Sequence, residues 1–310
     1  MSAFLLLAAA LAAVSSVTDP RDSYPAPSPD GSQFLFQSTR SGKQAIWIAK
    51  SDGSSPRLLI DGGELGQEPA TPSWSPDGTR FVFAMRPANA ALEEESEIYG
   101  AAADGSNIRR LTSAPGDDSH PHWSADGRRI YFNSARATPD LKVDWVKQWI
   151  DIFSMSADGG DVRRITDCRT TCTYPVPSPD GRWIVHRKTF DGPGLDWALK
   201  PIIRNSEVVL TSVDGKITRN LTNSPAYDGW PVWTSSGWVL FSSNRDGVPM
   251  VGQVYAIRPD GSELQALTGG TLSRIQPTPS RDSRQLYVAE HVNGESGEFG
   301  HIVVVPLDLP

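Results

Sequence analysis

The residues best able to do chemistry in this 310-residue sequence are its five histidines, its two cysteines, and tryptophans set beside charged groups. His120 and His122 flank Pro121, His186 lies in an apolar run, and His291 and His301 lie near the C-terminus. With an ordinary pKa near 6.5, such groups could bind metal or move protons. No known catalytic spacing accompanies them. The sequence has no Gly-x-Ser-x-Gly elbow, His-Glu-x-x-His pair, phosphate loop or paired CxxC. Catalytic residues are therefore left unassigned, and neither a metal nor another cofactor is expected. Cys168 and Cys172 could close a small disulfide loop in an oxidising compartment or remain free thiols. Two thiols fall short of the four ligands of a structural zinc site.

Recognition chemistry has more to work with. Trp145 sits among Lys142, Asp144 and Lys147, and Trp197 between Asp196 and Lys200. An indole supplies contact area and a neighbouring charge supplies orientation, a combination typical of binding surfaces, although these indoles could equally pack under their own loops. A second set is aromatic-rich and recurs before a proline: Tyr24, Thr71, His120, Tyr174, Trp230 and Gln276. The candidate ligand-binding residues are Asp118, His120, His122, Tyr174, Asp228, Trp230 and Gln276, with Trp145 and Trp197 on longer loops.

What positions these residues is a repeat. PAPSPDG from Pro25 recurs as PSWSPDG, PHWSADG, PVPSPDG, PVWTSSG and PTPSRDS, from Pro72, Pro121, Pro175, Pro231 and Pro277. Each copy is followed by a short apolar run such as Phe34-Leu-Phe36 or Ile130-Tyr-Phe132, and then by a second one such as Ala45-Ile-Trp-Ile48 or Ile152-Phe153. These read as strands. Ser-Pro-Asp-Gly presets φ at proline and tolerates positive φ at glycine, so it makes a tight turn between strands A and B. A second Asp-Gly turn joins strands C and D, which end in tails such as Arg109-Arg-Leu-Thr112. Length varies mainly between strands B and C: from first-turn to second-turn glycine is 22 residues in the first unit (31 to 53) and 34 in the fourth (181 to 215).

Six tandem four-stranded units, none able to bury both faces alone, indicate an all-β, six-bladed β-propeller with antiparallel blades. The expected blades are 24–60, 68–112, 118–166, 172–222, 228–268 and 274–310. Strand D of the last is missing, so residues 17–23 are expected to close the ring by supplying it, with Val17-Thr18 matching the Leu-Thr tails. The ligand surface is expected on the face that bears the B–C loops.

The Pro-x-Trp-Ser-Pro-Asp-Gly opening and Arg-Arg-Leu-Thr ending resemble the TolB-like (WD40-like) propeller repeat, from Tyr24 to the C-terminus. The resemblance implies a periplasmic partner-binding role, as in the Tol–Pal envelope system. The residues before Tyr24 are too few for the α/β domain that precedes the propeller there, so a propeller-only protein with its own partner is expected.

A net charge of −7 argues against nucleic acid as a partner. The apolar stretch 2–14, followed by Ser15 and Ser16, is shorter than the roughly 20 residues of a membrane span and fits a signal peptide over 1–16. The mature chain, 17–310, would then be a periplasmic or secreted monomer without a stable membrane span. The expected function is binding of an envelope protein or a small-molecule or saccharide ligand. The alternative is a carbohydrate lyase or hydrolase using the channel mouth, with metal assistance.

Overall fold

A computed structural model describes residues 20–90, 95–144, 147–195, 201–292 and 299–309. Those residues form six antiparallel sheets joined in chain order. The first holds β1 (Asp22–Pro27), β2 (Gln33–Ser38), β3 (Ala45–Lys50) and β4 (Arg57–Ile60); the second holds β5 (Gly66–Trp74), β6 (Arg80–Pro87), β7 (Glu97–Ala102) and β8 (Arg109–Arg110). The third holds β9 (Asp118–Trp123), β10 (Arg129–Ser134), β11 (Asp151–Ser156) and β12 (Arg163–Arg164), and the fourth β13 (Cys172–Pro177), β14 (Trp183–Leu195), β15 (Pro201–Ser212) and β16 (Thr218–Asn220). The fifth holds β17 (Asp228–Trp233), β18 (Val239–Ser243), β19 (Gln253–Ile257) and β20 (Gln265–Ala266). The sixth holds β21 (Ser273–Pro279), β22 (Gln285–Val292) and β23 (Phe299–Pro306). This is the six-bladed propeller that the repeats imply.

The repeated turns act as the sequence suggests. In the first blade Asp30 Oδ1 accepts from Ser28 Oγ at 2.6 Å and from the Ser32 amide at 3.0 Å, and Gly31 takes φ 72°. The Ser-to-Asp bond recurs at Ser75, Ser124, Ser178 and Ser280. In blades 2 to 5 the Thr that ends the tail has its own task. Thr112, Thr166, Thr222 and Thr268 accept an amide of strand C, from Ile98, Ile152, Val208 and Val254 at 2.9 to 3.0 Å. Each hydroxyl then donates to the residue just before that amide, Glu97, Asp151, Glu207 or Gln253. A hydroxyl can do both, which is why the tail ends in Thr rather than an apolar residue.

Apolar side chains fill the spaces between blades, where Leu35, Phe81, Phe132, Phe241 and Trp238 are almost fully buried. Two tryptophans lock neighbouring inner strands: Trp74 Nε1 donates to the Ala26 carbonyl at 3.0 Å, and Trp233 Nε1 to that of Val176 at 3.1 Å. The last blade meets the first through the Phe34 and Tyr287 rings, 5.3 Å apart, and a parallel bridge between Arg21 and Gly300. Asp22 and Ser23, expected in the last blade, belong to β1, which pairs with β2. Residues 17–19 of the expected closing strand lie outside the described residues.

One feature differs from the sequence expectation. The segment from Lys188 to Asn205, read as an irregular insert, continues the sheet: β14 and β15 pair from Trp183 with Ser212 out to Leu195 with Pro201. Both strands run on because backbone pairing does not need the alternating apolar pattern once the hairpin leaves the core. Cys168 and Cys172 are joined by a disulfide.

Candidate functional site

Each innermost strand carries a bulge at the same place. The pairing register slips in β1, β5, β9, β13, β17 and β21 around the dipeptide formed by the aromatic-rich position and its proline. There Tyr24, Thr71, His120, Tyr174, Trp230 and Gln276 all adopt left-handed backbone, with φ between 47° and 60°. Such a conformation costs a non-glycine residue of order 1–3 kcal/mol and persists only where the surroundings enforce it. The bulge frees an amide from the ladder, and the neighbouring blade receives it. Thr71 N donates to Gln37 Oε1 at 3.1 Å, Tyr174 N to Asn133 Oδ1 at 3.4 Å and Gln276 N to Ser242 Oγ at 3.0 Å; Tyr24 N donates to Gln276 Oε1 at 3.0 Å. Four of the six ring positions are thus braced against a neighbouring blade.

Their side chains meet across the channel. The His120 and Tyr174 rings are 4.4 Å apart, edge to face, and Tyr24 lies 5.6 Å from His120. Tyr174 lies 5.9 Å from Trp230, and Trp230 lies 5.5 Å from Tyr227. Trp230 Nε1 donates to the Tyr24 hydroxyl at 3.4 Å, with His120 Nε2 at 3.5 Å from the same oxygen. One tyrosine of the first blade thus ties the third to the fifth, and an aromatic plug fills the channel.

On one side of the plug is a cavity of about 530 Å³. Its walls are the ring residues and the prolines that follow them, His122, Trp74, Trp123 and Trp233, and the A–B turn residues Pro29, Pro76, Ala125, Pro179, Ser235 and Arg281. All six blades contribute, and the funnel runs toward the face of the A–B turns, opposite to the B–C loop face. The volume suits a small molecule or a few residues of a peptide.

The sequence-derived candidates divide accordingly. His120, His122, Tyr174, Trp230 and Gln276 line the funnel. Asp118 and Asp228 do not: both are fully buried and paired with Arg136 and Arg245, the latter at 2.8 Å. Burial pushes the Asp118 carboxyl up to about 7 against the pull of Arg136, and raises that of Asp228 against Arg245. Trp145 and Trp197 lie outside the described residues. Sequence reasoning missed Tyr227 and Arg187, which meet beside the plug with Arg187 Nη1 donating to the Tyr227 hydroxyl at 2.7 Å. Arg187 was legible as the one cation at a position where the other blades carry Gln, Ala, Asn, Ser or Ala.

The two funnel imidazoles, His120 and His122, are neutral at ordinary pH. Burial, with a smaller push from Arg187, lowers His120 to about 3, and burial lowers His122 to about 4. Neither takes up a proton near neutrality. Among the described residues no group of three or more His, Cys, Asp or Glu side chains is placed to hold a metal ion. The arrangement can offer flat apolar walls, neutral hydrogen-bonding groups and rigid shape.

Comparison with known proteins agrees with this architecture. The TolB beta propeller domain model matches residues 64–211. An uncharacterized protein of Agrobacterium fabrum is 32% identical over 163 residues, covering 51% of this chain and 48% of the relative. The Tol-Pal system protein TolB of Bordetella pertussis is 31% identical over 163 residues, covering 39% of this chain and 34% of its own. The chain thus spans about half or less of the length of these curated relatives. The solved structure of a putative TolB from Agrobacterium tumefaciens superposes with a TM-score of 0.62 at 25% identity, covering 80% of each chain. Matched repeat, related sequences and six blades together make the chain a TolB-like β-propeller.

Proposed function

We propose that this propeller is a periplasmic or secreted binding module that receives a short segment of an envelope partner protein in the A–B funnel. The funnel itself carries the reading: six blades converge on an apolar, aromatic-floored cavity of about 530 Å³ whose titratable floor groups are held neutral. Rigid, preorganised walls suit binding because little order is lost when a ligand enters. The Cys168–Cys172 disulfide and the apolar stretch 2–14 support an oxidising compartment reached by export. The TolB relatives support a partner at the cell envelope.

Photo-crosslinking tests the location. A benzophenone amino acid placed at Ala125 or Ser235, exposed A–B turn residues at the funnel rim, is expected to give one discrete adduct in envelope extract, and the same probe at Lys43, between β2 and β3, none. An adduct from Lys43 alone would move the binding surface to the B–C loop face and sink this reading.

A further inference from the structure

One arginine stands outside the pairing rules of the fold. The strand-B residue that faces the one before the ring position is Gln37 in blade 1, Asn133 in blade 3 and Ser242 in blade 5, opposite Ser23, Ser119 and Gly229. Each accepts the ring amide of the next blade. Blade 4 has Arg187 there, opposite Thr173. A guanidinium has five donors and no acceptor, so it cannot brace the ring as Gln37, Asn133 and Ser242 do.

Its surroundings use only part of it. Arg187 Nε donates to Thr173 Oγ1 at 3.0 Å and Nη1 to the Tyr227 hydroxyl. The guanidinium carbon lies 4.9 Å from the Tyr174 ring and 5.7 Å from the Tyr227 ring. No carboxylate of the described residues lies within ion-pair distance. In blades 1, 3 and 5, by contrast, Arg40, Arg136 and Arg245 each close on a buried aspartate. A half-buried cation without a counterion costs stability unless a ligand supplies one.

We propose that Arg187 anchors an anion site for a planar carboxylate, on the B–C loop side of the plug and separate from the funnel. Two aromatic rings lie beside the guanidinium, and among the described residues Nη2 has no hydrogen-bond acceptor, which suits in-plane, bidentate recognition. The charge count selects a monoanion. His120, whose ring meets Tyr174, is neutral, and Arg187 has no carboxylate partner among the described residues, so its single charge is matched by one negative charge on the ligand. Tyr174 and Tyr227 favour a flat body behind the carboxylate. The site lies at the root of the β14–β15 hairpin, the longest pairing among the described residues. It does not depend on what the funnel binds.

Calorimetric titration of the full chain with benzoate, benzamide and phenyl phosphate tests this. Benzoate is expected to bind at one site about tenfold or more tighter than the neutral benzamide, and more tightly than phenyl phosphate. Arg187→Lys should weaken it about tenfold, because the fork is lost while the charge stays. Arg187→Met should abolish it and raise the thermal midpoint, since the uncompensated cation is gone. Benzoate binding no better than benzamide, or unchanged by Arg187→Met, overturns the site. A lowered midpoint in Arg187→Met also overturns it, by making Arg187 a packing residue. Tighter phenyl phosphate binding overturns the carboxylate assignment. Ala125→Arg, which blocks the funnel, should leave benzoate binding unchanged, and its loss there would place the ligand in the funnel instead.

Discussion

Blades 3 and 4 are neighbours built on the same turns and the same strained ring, yet they use arginine in opposite ways. In blade 3, Arg136 bonds Asp118, donates to Ser134 Oγ at 2.8 Å, and lies 5.3 Å from the Phe132 ring and 5.1 Å from that of Phe153. The same clamp recurs as Asp22 with Arg40 and Asp228 with Arg245. In blade 4, Cys172 occupies the aspartate position, no clamp forms, and an arginine stands three residues before the clamp position, opposite Thr173. An arginine with a buried carboxylate belongs to the scaffold, whereas one that has lost its carboxylate and gained aromatic neighbours is free for a ligand.

The sharpest way to break that contrast is to make the same substitution in both blades. Arg136→Met strands Asp118 in the core and is expected to cost about 3–5 kcal/mol at pH 8, read as a shifted urea midpoint. Arg187→Met should instead raise the midpoint. The blade 3 effect depends on pH with a definite sign. Asp118 holds its proton more tightly folded than unfolded, because burial raises its pKa to about 7 from an ordinary value near 4. Its contribution to stability is therefore greatest at the acid end of that window and declines as pH rises from about 4 to 7. Removing Arg136 strengthens the trend, since an uncompensated carboxylate is best tolerated protonated. The penalty at pH 5 should be clearly smaller than at pH 8. Equal penalties would mean that the clamp works by packing and not by charge.

How much of this was legible in the sequence follows from what repeats. The turns, the Thr tails and the six inner strands recur because every blade needs the same bonds, so residues such as Ser124, Asp126 and Thr166 announced their places. Position before the proline also marked the ring at Tyr24, His120 and Trp230. The bulge itself was hidden, because a left-handed residue before proline has no side-chain signature when Tyr, Thr, His, Trp and Gln all occupy it. Asp118 and Asp228 looked like surface ligands since acids are seldom fully buried, and only their arginine partners, 17 to 18 residues away, make burial tolerable. The funnel's side was unreadable too. Loop length drew attention to the B–C face, while the cavity is made by short turns that leave the channel uncovered.

A smaller effect tests the other novelty of blade 4. The disulfide closes a loop of very few residues, so chain entropy credits it with only about 2 kcal/mol. It also holds Cys172 where blades 1, 3 and 5 hold an aspartate. Cys168→Ser together with Cys172→Ser should lower the denaturant midpoint by that amount and leave benzoate binding intact, because Arg187 is held by Thr173 and Tyr227. Loss of binding in the folded double variant would show that the bridge, and not the arginine's own neighbours, positions the guanidinium.

The mildest comparison sets two inner-strand tryptophans against each other. Trp74 and Trp123 occupy equivalent places in blades 2 and 3, and both are buried. Trp74 donates its indole N–H to Ala26, whereas Trp123 Nε1 has no hydrogen-bond partner among the described residues and lies under Arg80, 4.7 Å from its ring. Replacing either with Phe removes similar apolar area, so the packing losses largely cancel between the two variants. What remains is the hydrogen bond. Trp74→Phe also leaves the Ala26 carbonyl without this donor, a net loss of about 1 kcal/mol, while Trp123→Phe relieves a buried donor that was already unpaired. Trp74→Phe should therefore have the lower urea midpoint by about that energy. If the two variants coincide, the blades are joined by shape alone and the indole bond contributes nothing measurable to the ring.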